Sequence, residues 1–177
     1  MTQARPYAGV EASARLATRR DRLLKAGLHL LGSTVDPPEL TVRGVCAEAG
    51  QATRYFYESF SDKDEFITAV FDWVVATLAG CTQAAVDAAP TGEQTLAAMT
   101  AIVRSIDADP RIGMLMFNSR LSNATVMRKR VESSAFFAML SGHHAETVLQ
   151  RRASERIKAG AQFVVGGVAQ TISAWLA

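Results

Sequence analysis

Apolar residues recur at helical spacing along nearly the whole chain, and no stretch keeps the two-residue alternation of a half-buried strand. Leu16, Leu23, Leu24, Leu28 and Leu31, with Gly27, line one face of a first helix that ends near Gly32. A turn-rich connection covers residues 32–38. Thr41 can cap a short helix over residues 42–49, and Gly50 stops it. A second short helix is expected over residues 53–59. Ser61 and Asp64 have the Ser-x-x-acid form of a capping box. They open a long helix whose apolar face holds Phe66, Ile67, Val70, Phe71, Val74 and Leu78.

The pattern breaks over residues 88–92, after which Thr91 with Gln94 can cap a helix to about residue 108. Asp109-Pro110 is a cap followed by proline at the first helical position, and it starts a short helix to about Ser119. Asn123 opens an amphipathic segment toward Gln150; the pattern leaves open whether residues 141–144 interrupt it. A last helix runs from about Ser154 to the end. The sequence predicts an all-α protein.

Composition narrows the classes. At 177 residues and 49% hydrophobic, the chain can bury a core, which excludes disorder throughout. Twelve glycines and five prolines are too few for a fibrous protein. Nineteen Lys and Arg against 17 Asp and Glu leave a charge of only +2, so any nucleic-acid contact must come from local charge. Cys46 and Cys81 make no disulfide framework and have no metal-ligand spacing; both read as reduced, buried thiols of a cytoplasmic protein. Residues 159–177 carry no charge and follow Arg151, Arg152, Arg156 and Lys158, so length and flanks permit a tail anchor. Gln162, Gln170, Thr171, Ser173 and three glycines dilute that run, however, and favour a buried helix with no membrane contact.

The specific signal lies in residues 41–60. Two short helices about a tight Gly50-Gln51 turn form a helix-turn-helix, with Ala47 as the small inner-face residue. Val42, Val45, Cys46 and Phe56 anchor the pair on the preceding helix, and the second helix then projects Thr53, Arg54, Tyr55 and Ser59 outward. In a major groove an arginine can pair bidentately with guanine. Around this module cations gather: Arg15, Arg19, Arg20, Arg22 and Lys25 stand against Asp21 alone. A solvated helix face remains an alternative for Arg15 and Arg19.

These residues resemble a family. Leu23-Leu24-Lys25-Ala26-Gly27-Leu28, Thr41-Val42-Arg43, Ala47-Glu48-Ala49-Gly50, Phe56-Tyr57 and Phe60-Ser61-Asp62-Lys63 follow in the order and spacing of the tetracycline-repressor-like (TetR) regulators. The run from Arg54 to Phe60, with the Arg5-Pro6-Tyr7 start, is similar to a subgroup of them. The resemblance covers about the first 75 residues. It implies phosphate contacts at Thr41, Tyr57 and Lys63, and base-facing positions at Thr53, Arg54 and Tyr55 with Arg43 reaching in. Ala52 and Tyr55 depart from the family's usual serine and threonine, which puts one phosphate contact and the base preference in doubt. It also implies an N-terminal DNA-binding domain, residues 1–63, and a C-terminal helical domain, residues 64–177, that dimerises and holds a small-molecule effector.

Two features of the second half fit that division. The uncharged final helix presents Phe163, Val164, Gly167, Thr171 and Trp175 to a two-fold mate. Every methionine but Met1 lies there too, and Trp73, Met99, Met114, Phe117, Phe137 and Met139, with Asn118 and His143 as polar partners, could line an apolar cavity or simply form core. Adjacent His143 and His144 point to different helix faces, so no metal and no cofactor is expected. Catalytic motifs are not seen. The expected function is a homodimeric repressor that binds a double-stranded palindromic operator and is released by a small apolar effector. The alternative is a helical adaptor whose DNA module has decayed.

Overall fold

A computed structural model describes residues 7–33, 37–118, 120–149 and 154–176. Arg5, Pro6, part of the 32–38 connection, Ser119, Gln150, Arg151, Arg152 and Ala177 lie outside the described residues. The described residues form eight helices and no strand. They are α1 (Tyr7–Gly32), α2 (Val42–Glu48), α3 (Thr53–Tyr57), α4 (Lys63–Ala88), α5 (Gln94–Ala108), α6 (Pro110–Phe117), α7 (Ala124–Leu149) and α8 (Glu155–Trp175). The fold is all-α, as the periodicity requires.

Local chemistry sets the boundaries. The Thr41 hydroxyl oxygen accepts from the Gly44 amide at 3.1 Å and starts α2. The Asp109 carboxylate accepts from the Arg111 amide with Pro110 in the first turn, and Ser154 caps α8 through the Ile157 amide. At α4 the capping box sits one residue later than Ser61 and Asp64 suggested. Asp62 accepts from the Glu65 amide at 2.8 Å, and the Glu65 carboxylate accepts from the Ser61 amide at 2.7 Å. Both carboxyls are thereby held below their ordinary values, Asp62 chiefly by the Glu65 amide and Glu65 chiefly by the Ser61 hydroxyl. Nor does Thr91 cap α5, whose N-cap position is Glu93 without a side-chain bond. α7 runs unbroken through residues 141–144.

One core crosses the chain. α1 packs on α2, α3, α4 and α6; α4 also packs on α5 and α7; and α8 lies on α6 and α7. All six apolar positions expected on α4 are buried, joined by Leu23, Leu28, Phe56, Phe60, Leu115 and Val126. Gly27 and Gly32 of α1 permit close approach. A Cβ on Gly27 would lie 2.5 Å from a Val70 methyl, and one on Gly32 would lie 2.5 Å from the Arg111 carbonyl oxygen. α1 is therefore held directly against α4 and against the backbone of α6. Among the described residues α4, and not α8, is the one helix long and apolar enough to cross a membrane, at a mean hydropathy of 1.4.

Candidate nucleic-acid interface

Gly50 ends α2 with φ 61°, in the left-handed region that glycine enters without strain. The Gln51 amide then donates to the Cys46 carbonyl at 2.8 Å, and the Gln51 side chain donates to the Arg19 carbonyl at 3.1 Å. The turn is thus tied to α1 as well as to α2. Val45, Cys46 and Phe56 are buried against α1 and α4 and Val42 is half-buried, as expected. Ala47 is exposed, so the small inner-face role does not fall to it: Val45 and Cys46 occupy the inner face instead. Burial pushes the Cys46 thiol up, with Thr53 beside it opposing that shift.

Phe56 is the keystone of this arrangement. Its ring lies 5.5 Å from Phe60 and 5.2 Å from Phe66, and Phe60 meets Phe66 edge-on at 5.0 Å. With Phe56 pinned inward, helical geometry turns Arg54 and Tyr57 away from it, and both are exposed; Thr53, one turn before Phe56, is exposed at the start of the helix beside Cys46. Thr41 and Arg43 are exposed beside them, while Tyr55 is half-buried. Tyr57 keeps 58% of its surface open yet meets Phe56 edge-on at 5.4 Å, a phenol on an apolar stem.

The cations divide into two kinds. Arg20 is structural: its guanidinium donates to the Ser59 carbonyl at 2.9 Å and lies 4.3 Å from the Phe60 ring centre. Lys25 pairs with Asp21 at 2.8 Å, and Lys63 with Glu39 at 2.7 Å. The Glu39 carboxylate raises the Lys63 ammonium and is itself lowered by it. A cation in the first turn of a helix needs an anion nearby, and Glu39 is that anion within the chain. Arg19 differs, because it reaches across to α3. It lies 3.8 Å from the Tyr55 ring centre and 3.4 Å from the Glu58 carboxylate. Sequence reasoning missed both Glu39 and this contact.

In the second half, Asn118 is buried, and Trp73, Met99, Met114, Phe117 and Phe137 are half-buried. Trp73, Phe117 and Phe137 pack on the core. Met139 is 61% exposed and His143 is also exposed. Among the described residues no group of three His, Cys, Asp or Glu could hold a metal ion. Cys81, expected buried, is exposed. Phe163, Val164, Gly167, Thr171 and Trp175 all lie on the surface, Phe163 at 82% exposure.

One half-buried group has no counterpart among the expected residues. Arg130 of α7 donates to the carbonyls of Met114 (3.3 Å), Leu115 (2.6 Å) and Asn118 (2.8 Å), closing the end of α6. Desolvation brings its guanidinium down to about 10. The sequence did carry a signal, since Arg130 shares a helix face with Val126, Ser133 and Phe137 and so points inward. A few residues away Lys129 bridges Asp72 at 2.7 Å and Glu132 at 3.0 Å, and Thr125 donates to Asp64 at 3.1 Å. These contacts fasten α7 to α4.

The sequence matches no protein-family model and no curated protein. Solved structures do share its fold. The fatty acid degradation regulator FadR from Bacillus halodurans superposes with a TM-score of 0.73 at 14% identity, over 88% of this chain and 86% of that one. The transcriptional regulator FadR from Bacillus subtilis, solved in complex with stearoyl-CoA, gives 0.68 at 13% identity over 88% and 86%. A proposed transcriptional regulator from Pseudomonas aeruginosa PAO1 gives 0.64 at 19% identity over 89% and 80%. The chain therefore shares the all-helical fold of these three regulators.

Proposed function

We propose that this chain is a ligand-responsive, DNA-binding transcriptional regulator of the TetR kind and not an enzyme. In this proposal residues 1–63 bind DNA and residues 64–177 bind an effector and a second copy of the chain. One observation carries it. A short helix turned about a left-handed glycine buries Phe56 completely while leaving Arg54 and Tyr57 exposed away from it and Thr53 exposed at its start. A polyanion is the partner for which such an exposed face is suited. Thr41, Tyr57 and Lys63 would flank it as backbone contacts, with Lys63 exchanging Glu39 for phosphate, and Arg43 would reach toward the bases from α2.

The homodimer would form through α8, whose Phe163, Val164 and Trp175 are exposed in the single chain. Two recognition helices about one duplex turn apart would then read a palindrome, most simply as a cytoplasmic repressor. The effector would sit among Trp73, Met99, Met114, Phe117 and Phe137. Met139 and His143 would reach it only from the edge. The Bacillus subtilis neighbour holds stearoyl-CoA, which makes long-chain acyl thioesters the first class to try.

The test is a gel shift with intergenic DNA from beside the gene, at two salt concentrations. A specific, salt-sensitive complex is expected, weakened by Arg54→Ala and by Tyr57→Ala. Binding unchanged in both variants would remove the recognition helix from this assignment. A thermal-shift series with acyl-CoA esters of increasing chain length addresses the effector, with a rise in midpoint expected for those that bind.

A further inference from the structure

Neighbouring residues on a helix point roughly 100° apart and do not ordinarily meet. On α3 two of them do. The Arg54 guanidinium donates to the Tyr55 phenol oxygen at 2.7 Å and lies 4.6 Å from the centre of the Tyr55 ring. The same ring takes the Arg19 guanidinium at 3.8 Å, and Arg19 is in turn held by Glu58 at 3.4 Å. Glu58, Arg19, Tyr55 and Arg54 form one relay running from α1 across the outer side of α3. Its two ends, Glu58 and Arg54, are exposed, and Arg19 and Tyr55 between them are half-buried.

We propose that Tyr55 is a positioning residue for base readout: its hydroxyl fixes the Arg54 guanidinium in the orientation that pairs with guanine. This rests on the DNA-binding function above. An arginine side chain loses up to about 2 kcal/mol of rotamer freedom when it is fixed. Bidentate pairing to guanine O6 and N7 needs one orientation of a planar fork. Tyr55 sets that orientation before DNA arrives, and Arg19 with Glu58 sets Tyr55. The larger tyrosine, where the family more often has threonine, thus acts through its neighbour instead of touching a base itself.

The test is in vitro selection from a randomised duplex pool with the full chain, comparing wild type, Tyr55→Phe, Arg54→Lys and the double variant. Phenylalanine keeps the ring and both guanidinium contacts and removes only the acceptor. Wild type should enrich a motif containing guanine. Tyr55→Phe should lower the preference for that guanine about fivefold, the size of one hydrogen bond, and leave the salt dependence unchanged. Arg54→Lys should lose the preference, and adding Tyr55→Phe to it should change nothing further. Equal guanine preference in wild type and Tyr55→Phe overturns the positioning role alone. An undiminished effect of Tyr55→Phe in the Arg54→Lys background does the same, because the hydroxyl would then act independently. If wild type enriches no motif, the DNA-binding function itself falls, and the positioning role with it.

Discussion

The helix-turn-helix end and the α7–α8 end of this molecule handle their apolar residues in opposite ways. Around α3 the large apolar groups turn inward: Phe56, Phe60 and Phe66 are buried, and the large side chains left exposed, Arg54, Tyr57 and Glu58, are charged or phenolic. Along α7 and α8 the reverse holds. Val131 (72%), Met139 (61%), Phe163 (82%) and Trp175 (53%) are all exposed. A buried phenylalanine contributes about 1.5–3 kcal/mol, so the first region completes its stabilisation within one chain. The second leaves a comparable contribution unrealised until something covers it. Polar outer faces suit a partner that comes and goes with salt; apolar ones suit a partner that stays.

Substitution separates the two regions most sharply. Phe56→Ala should cost about 3–5 kcal/mol, a large part of a typical domain's stability, and should unfold the protein at modest urea concentration. Phe163→Ser should change the stability of the single chain by under about 0.5 kcal/mol, yet should shift sedimentation toward monomer. An unchanged sedimentation profile would leave the exposed face of α8 without the role proposed for it.

Glycines give the next effect. Gly32→Ala puts a methyl group against the Arg111 carbonyl, where backbone must move, and should lower the thermal midpoint by the equivalent of about 1–3 kcal/mol. A Cβ on Gly167 meets nothing within 4 Å in the single chain. Gly167→Ala should therefore stabilise dilute monomer by about 0.5–1 kcal/mol through helix propensity. It should also weaken self-association if α8 meets a partner helix closely, and concentration-dependent melting reads both. The smallest effect concerns acid. The carboxyls of Asp62, Glu65 and Asp109, which serve the starts of α4 and α6, lie below their unfolded values, Asp109 chiefly through Arg111. Their contribution is complete above the unfolded values of about 4 and is lost as pH falls through the lowered ones. Replacing Asp62 with asparagine should flatten stability against pH in that acidic window while keeping most of the cap.

Helix positions were legible because their signals are local. Thr41, Gly50, Asp109-Pro110 and Ser154 each act within four residues, and each acts as expected. Where two local signals overlapped, at Ser61 and Asp62, the pattern could not choose: both have an acid three residues on, and Glu65 reaches back to Ser61. Ala47 was misplaced because a small residue near a turn fits either face of a short helix. The electrostatics of the candidate interface were harder. Glu39 is 24 residues from Lys63 and Arg19 is 39 from Glu58, so those pairs depend on how α1 and α4 cross the module. No periodicity encodes that crossing. The exposure of α8 was not legible: the charge-free run over residues 159–177 suggested a buried helix, yet in the single chain only Ala161 and Ile172 of α8 are buried.

The bonds of Arg130 have a consequence for how such a protein can change over generations. The guanidinium holds α6 by the backbone oxygens of residues 114, 115 and 118, not by their side chains. A grip of this kind is blind to residue type. Met114, half-buried on α6, can be exchanged for another apolar residue without breaking one of those bonds. A new chemical preference could therefore be acquired on α6 by drift in its side chains, with the anchoring of the helix inherited unaltered.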